Sequence, residues 1–306
     1  MAYPGPGVAR RPTQPVPALA LWRLMRPGQW IKNLLVFAPL IFAEDFLHLA
    51  AWPPTIYAFA AFCLLSSAIY TANDWHDREE DGRHPKKRLR PLASGQVSLR
   101  AAGSLLGLLL ALGLVLAYLS SPTVFVVGVL FLGINALYTY ALKSRLLLDA
   151  FGISAGFLLR TAGGAVAIGV PFSPFLFVLV LLLTLFLAFG KRRSELRASA
   201  SPAEHRQVLG RYTAVLLDQW LGVLVSSMIA VYAIYAFEEP LPGHVFMLTI
   251  PFVIYGLFRY LYLLAANDRA ENPDELLVTD WPTLLNLGLW GITVVSMFVL
   301  ERQGML

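Results

Sequence analysis

Residues Ile56 to Asp81 read I-Y-A-F-A-A-F-C-L-L-S-S-A-I-Y-T-A-N-D-W-H-D-R-E-E-D. The run from Ile56 to Ala72 is apolar and long enough to enter a membrane. It ends on Asn73 and a set of carboxylates, with Asp74, Asp77 and Asp81 at i, i+3 and i+7. A helix that runs on through them places all three on one face. Directly downstream lies a basic block, Arg83-His84-Pro85-Lys86-Lys87-Arg88-Leu89-Arg90-Pro91. Acids and cations gathered at a membrane mouth are costly unless a ligand needs both signs. A divalent metal carrying a polyphosphate needs both.

The rest of the chain fits a membrane setting. Of its 306 residues, 57% are hydrophobic and 14% charged, whereas a soluble domain carries about 25% charge. The mean hydropathy is +0.63. The apolar content falls into blocks of about 20 residues, the length that crosses about 30 Å of hydrocarbon. The expected fold is all-α, a polytopic membrane protein with nine spans: Leu34–Ala51, Ile56–Asp74, Leu99–Leu119, Thr123–Leu142, Leu148–Val170, Phe175–Gly190, Tyr212–Phe237, His244–Ala265 and Pro282–Leu300. Trp22 to Asn33, with Trp22, Trp30, Arg23, Arg26 and Lys32, reads as interfacial. Residues 1–21 are Pro-rich without an apolar core and read as a disordered tail, not a cleaved signal peptide; residues 22–306 form the one catalytic domain. The single cysteine, Cys63, excludes an internal disulfide and a cysteine-based metal site.

Charge sets the orientation. Of the 24 Lys and Arg, all but Arg160, Arg259 and Arg302 lie in the N-terminal segment or in the loops after spans two, four, six and eight. By the positive-inside rule that side is the cytoplasm. The N-terminus and the candidate site lie there, at the cytoplasmic face of the inner (plasma) membrane.

Three groups carry candidate chemistry. Asp74, Asp77 and Asp81 suit a hard cation such as Mg²⁺, which takes one or two carboxylates and completes its shell with water and phosphate oxygens. The competing reading is a solvated helix end, with Asp81 in a surface salt bridge. Glu79 and Glu80 point elsewhere. Lys87 and Arg90 suit a phosphorylated ligand, against a purely topological role or contact with anionic lipid. The third group, Gly190-Lys191-Arg192-Arg193-Ser194-Glu195, is cationic; Lys191 and Glu195 at i, i+4 also fit an ordinary helix-surface pair.

Polar residues within spans are functional candidates by default. Arg160 needs a cavity or a partner, and Asp149 is too far along the same helix to supply one. Tyr138 is favoured over Tyr140 to face the site, with Asn135 and Lys143 nearby. Asp280 before Trp281-Pro282 fits a helix cap. Gly152 and Gly156 read as close helix packing.

On these residues the chain resembles a known family. N-D-x-x-D-x-x-x-D on Asn73, Asp74, Asp77 and Asp81, followed by H-P-x-K-x-x-R-P on His84, Pro85, Lys87, Arg90 and Pro91, looks like the first signature of the UbiA-type intramembrane prenyltransferases. The resemblance runs from about Trp22 to the end. Usual members carry a second Asp-rich motif after span six; this chain has Lys191-Arg192-Arg193-Ser194-Glu195 there. That departure, with R-P-x-Q-W-x-K-N on Arg26 to Asn33 and L-D-A-F on Leu148 to Phe151, resembles the decaprenyl-phosphate phosphoribosyltransferase branch. The resemblance implies a Mg²⁺-dependent transfer from 5-phosphoribosyl 1-diphosphate to a polyprenyl phosphate, toward cell-wall arabinan. It implies metal on Asp74, Asp77 and Asp81, and substrate contacts from Lys32, Asn73, Lys87, Arg90, Lys143, Arg160, Lys191 and Arg192. Lys191 and Arg192 are the choices for the 5-phosphate, with Lys32 or Lys143 as competitors, and Tyr138 or a carboxylate stands near the reacting carbon. No nucleic acid partner is expected, and the chain leaves room for a homo-oligomer. Two other readings compete. A prenyltransferase acting on an aromatic acceptor predicts a second acidic cluster. A non-catalytic lipid-phosphate transporter predicts charge spread through the midplane.

Overall fold

The computed structural model describes residues 18–43, 45–84, 86–198, 208–238, 241–266 and 279–305. Arg10, Arg11, Pro85, Glu204, Arg206 and Arg269 lie outside the described residues, as do most of the tail and parts of two polar loops. No strand forms among the described residues. The helices are α1 (Ala18–Met25), α2 (Ala38–Phe42), α3 (Trp52–His76), α4 (Arg78–Arg83), α5 (Leu99–Ser120), α6 (Pro122–Leu137), α7 (Leu148–Ala167), α8 (Pro174–Ala198), α9 (Ala214–Glu238), α10 (Ile250–Ala266) and α11 (Trp281–Arg302). A 3₁₀ segment, Pro27–Phe37, joins α1 to α2, and a π turn, Tyr138–Leu142, continues α6.

Eight helical stretches among the described residues are long and apolar enough to cross a membrane, and the chain is a multi-pass membrane protein. They match eight of the nine expected spans. The first expected span, Leu34–Ala51, is not a continuous helix. It is divided among the 3₁₀ segment, α2 and two further 3₁₀ turns, Asp45–Leu47 and Leu49–Ala51. Pro39 lacks an N–H for the helix ladder, and Asp45 and His48 are costly in hydrocarbon. Residues 18–21, assigned by composition to the tail, are helical.

The chain folds as two compact units. The first takes the residues up to Trp30 together with Cys63–Leu112. Its core is small: Ala20 and Leu24 of α1 pack with Leu92, Val97 and Ala102. The second takes Ile31–Phe62 and the chain from Gly113 onward. Within it α6, α7, α8 and α9 pack in sequence, and α10 packs on α11. One core joins Phe186 and Phe189 of α8 to Leu217 and Leu221 of α9 and Leu257 and Tyr260 of α10.

Local signals set several boundaries. The Ser121 hydroxyl accepts from Val124 N–H at 3.1 Å, with Pro122 in the first turn of α6. Asp280 caps α11 by accepting from Thr283 N–H at 3.0 Å, as its position before Trp281-Pro282 suggested. Glycines on α7 permit close approach. A Cβ on Gly152 would meet the Tyr138 ring at 3.0 Å, which agrees with the packing reading of Gly152 and Gly156. A Cβ on Gly164 would lie 2.0 Å from the Val36 carbonyl oxygen. Only glycine there lets the Asn33–Pro39 stretch lie against α7.

Candidate active site

The first unit gathers the carboxylates and the basic block. Helix α3 ends at His76, and Asp77 stands at the start of α4 with φ −87° and ψ 7°. The backbone ladder still bridges the junction, since Asp77 N–H donates to Asn73 O at 2.9 Å and Asp81 N–H to Asp77 O at 2.8 Å. Asp74 and Asp81 therefore keep nearly helical phase and both turn inward, each 2% exposed. Glu79 and Glu80 face solvent, as expected; Asn73 and Asp77 are half-buried.

Arg90 holds the two buried acids together. Its Nη1 donates to Asp81 Oδ2 at 2.6 Å and to Asp74 Oδ1 at 3.2 Å. Lys87 Nζ lies 4.0 Å from Asp81 Oδ1. Arg26 also donates to Asp74 Oδ1. Sequence reasoning did not place Arg26 in the site, although it stands in the R-P-x-Q-W motif. Arg26 has φ +53°, a left-handed residue ahead of Pro27 at the end of α1. Its neighbours fix it there: Trp30 Nε1 donates to Ser67 Oγ at 3.0 Å, and Ser67 Oγ donates to Met25 O at 2.8 Å. The guanidinium stacks over the Tyr70 ring, 5.2 Å from its centroid.

One nitrogen of Arg90 thus bridges two buried carboxylates, the place a hard cation would take. Among the described residues no three His, Cys, Asp or Glu side chains converge as a metal cage. Asp77 stands at the break between α3 and α4, between Asp74 and Asp81 in the chain. Two carboxylates with room for water and phosphate oxygens suit Mg²⁺ better than a closed cage does. The donor set fits the ion.

The second unit holds a different cluster. Asp149, in the first turn of α7, is fully buried and Arg192 of α8 is 1% exposed. Arg192 Nε donates to Asp149 Oδ2 at 2.8 Å, and its Nη1 donates to Glu195 Oε2 at 2.8 Å. Tyr212 OH donates to Asp149 Oδ1 at 2.7 Å and accepts from Leu147 N–H at 3.2 Å. Leu147 has φ +67°, and this bond braces its left-handed turn ahead of α7. Burial and then the bond to Asp149 push the Tyr212 phenol above its ordinary pKa, so it stays a neutral donor. Tyr138 is half-buried, close enough to Arg192 to feel its charge. Lys143 and Lys191 are half-buried beside these elements.

Two of the expected substrate contacts are buried and bonded within the protein. Arg192 neutralises Asp149 and Glu195. Helix α8 runs on to Ala198, so Lys191 and Arg192 lie about 100° apart around it. Arg160 is likewise buried. Its Nε donates to Asn33 Oδ1 at 2.6 Å and its Nη1 to Gly156 O at 2.9 Å, and it stacks on Phe131 and Phe157. The partner that Arg160 required is Asn33, on the 3₁₀ segment next to half-buried Lys32.

Residues 35–277 match the sequence profile of the UbiA prenyltransferase family. The chain is 33% identical over 278 residues to the decaprenyl-phosphate phosphoribosyltransferase of Mycolicibacterium smegmatis, covering 85% of this chain and 86% of the relative. It is 30% identical to the Mycobacterium tuberculosis H37Rv protein of the same name, over 89% and 92% of the two chains. A UbiA homolog from Archaeoglobus fulgidus, solved with GPP and Mg²⁺, superposes with a TM-score of 0.65 at 17% identity, over 94% of this chain and 99% of that one. That likeness is one of fold.

Proposed function

Because this chain belongs to the UbiA prenyltransferase family, we propose that it is an enzyme transferring the 5-phosphoribosyl group from 5-phosphoribosyl 1-diphosphate to a polyprenyl phosphate. The observation that carries the reading is the pair of buried carboxylates, Asp74 and Asp81, ringed by Arg26, Arg90 and Lys87. Such a set accepts a diphosphate with a divalent cation. Two points favour a phosphorylated sugar as the diphosphate's carrier. The end of α8 is cationic, where a prenyl-diphosphate enzyme is expected to carry a second acidic motif, and the relatives described above are named for the phosphoribosyl reaction.

Asp74 and Asp81 would hold the cation, with Asp77 beside them, and Mg²⁺ is the ion proposed. When bound, the ion offsets negative charge on the departing diphosphate. The chain's own residues do the rest. Arg26, Arg90 and Lys87 are long side chains with exposed portions. They can turn from the carboxylates to phosphate oxygens, a charge-assisted exchange of one anion for another. The C1–O bond to diphosphate breaks with its electron pair leaving on diphosphate, and an oxygen of the lipid phosphate forms the new bond to C1. The attacking oxygen is already anionic, so positioning matters more than a general base. Lys32, Lys143 and Lys191 are proposed phosphate contacts, and the site is proposed to face the cytoplasm.

The test is incubation of the purified protein with radiolabelled 5-phosphoribosyl 1-diphosphate, Mg²⁺ and a polyprenyl phosphate. Labelled lipid is expected, with Asp74→Ala and Asp81→Ala each reducing it by about 100-fold or more. No labelled lipid, or undiminished label from both variants, refutes the reaction.

A further inference from the structure

Each unit contains an arginine that bridges two carboxylates, and the two bridges differ in one respect. Arg90, between Asp74 and Asp81, has a side chain 30% exposed. Arg26, the second cation on Asp74, is equally exposed. Such arms can be displaced by an entering ion, since their charge finds water or an anion elsewhere. Arg192, between Asp149 and Glu195, is 1% exposed, and Asp149 is fully buried. The remaining oxygen of Asp149 is taken by Tyr212 OH. Displacing Arg192 would leave an always-charged, planar group without water or a new anion inside the protein.

The surroundings reinforce the difference. Along the same end of α8, Arg193 forms a two-bond pair with Asp218, at 2.7 and 3.2 Å. Arg197 donates to the backbone carbonyls of Leu264 and Ala265. Lys191 adds another positive charge one residue before Arg192. A dication approaching Glu195 from solvent meets a field of its own sign.

We infer that Arg192 is a built-in cation, its guanidinium standing permanently where a divalent ion would otherwise bridge Asp149 and Glu195. Among the described residues a single exchangeable metal site then remains, at Asp74 and Asp81. The inference rests on the metal assignment proposed above for the first unit, and it is independent of which group is transferred. Its consequence is chemical: one metal serves the diphosphate, and Asp149 and Glu195 are neutralised by a fixed organic cation instead of a second ion.

The experiment is a Mn²⁺ titration of the purified full chain in lipid nanodiscs, read by the electron paramagnetic resonance signal of free Mn²⁺. The expected result is one Mn²⁺ per chain. Asp81→Asn should weaken that site at least tenfold. Glu195→Gln, which removes the one carboxylate of the Arg192 bridge that reaches solvent, should leave both stoichiometry and affinity within twofold of the parent. Two Mn²⁺ per chain, none, or a site lost in Glu195→Gln each overturns the inference. A chain that binds one Mn²⁺ yet labels no lipid refutes the transfer reaction and leaves this inference standing.

Discussion

The Asp149–Arg192 pair can be tested by a double-mutant cycle on stability. Arg192→Met removes the guanidinium and leaves Asp149, fully buried, with only the Tyr212 hydroxyl on its oxygens. Removing one partner of a buried pair costs about 3–5 kcal/mol, because the other charge stays inside uncompensated. Asp149→Leu should cost less, about 3 kcal/mol, since Arg192 retains Glu195 at 2.8 Å. The double variant strands no buried charge. Glu195 is partly exposed and regains water, which leaves mainly the lost acceptor of Tyr212, about 1–2 kcal/mol. The double variant should therefore be more stable than either single, with a coupling energy of about 4–7 kcal/mol. At about 2 °C per kcal/mol for a chain of this length, the singles fall by about 6–10 °C and the double by about 2–4 °C. The assay is thermal unfolding in one detergent at one scan rate, because membrane proteins often unfold irreversibly. Additive losses in the double variant, or singles within 2 °C of the parent, would show that the pair is not a coupled buried unit.

Two further outcomes follow from the packing and the caps. Gly164→Ala places a methyl 2.0 Å from the Val36 carbonyl oxygen and should cost at least about 3 kcal/mol or abolish folded expression, whereas Gly222→Ala, with nothing within 4 Å, should be neutral or slightly stabilising; equal behaviour by size-exclusion chromatography would refute the close approach. Asp280 is held below the usual carboxylate range, first by the hydrogen bonds from Arg259 and then by those from Thr283, so its contribution is present above about pH 4 and fades as pH falls toward its folded value. Asp280→Ala should cost about 1 kcal/mol at pH 7, and the gap to the parent should narrow in melting curves taken toward pH 3; a gap that widens on acidification would refute the assignment.

How far the sequence could be read depended on whether a residue's partner was near it in the chain. The eight spans were legible because hydrocarbon length and apolar runs are local properties. So were the cap at Asp280 and the shared inward face of Asp74 and Asp81, two helical turns apart. What was not legible has a different cause. Leu34–Ala51 is apolar enough to look like a span, but Pro39 and its interior polar residues favour a broken path, which Gly164 accommodates from more than a hundred residues away. Arg160 showed in sequence only that it needed a partner; Asn33, which satisfies it, is 127 residues distant. The end of α8 is the clearest case. A run of Lys, Arg, Ser and Glu reads as a polar loop, yet these residues sustain a helix when each finds its own acceptor. Lys191 and Arg192 are adjacent and chemically alike, and composition alone gives no reason to separate them. What separates them is Asp149, 43 residues earlier and fully buried, which draws Arg192 inward by its two-sided bridge with Glu195. Helical geometry then turns Lys191 about 100° from it. A cation cluster that looked like one phosphate cradle is therefore two things: an internal counterion fixed by tertiary structure, and a partly exposed lysine. The same logic raises Arg26 in the first unit. Its motif was visible, but its role depends on a left-handed backbone and on Asp74, 48 residues away.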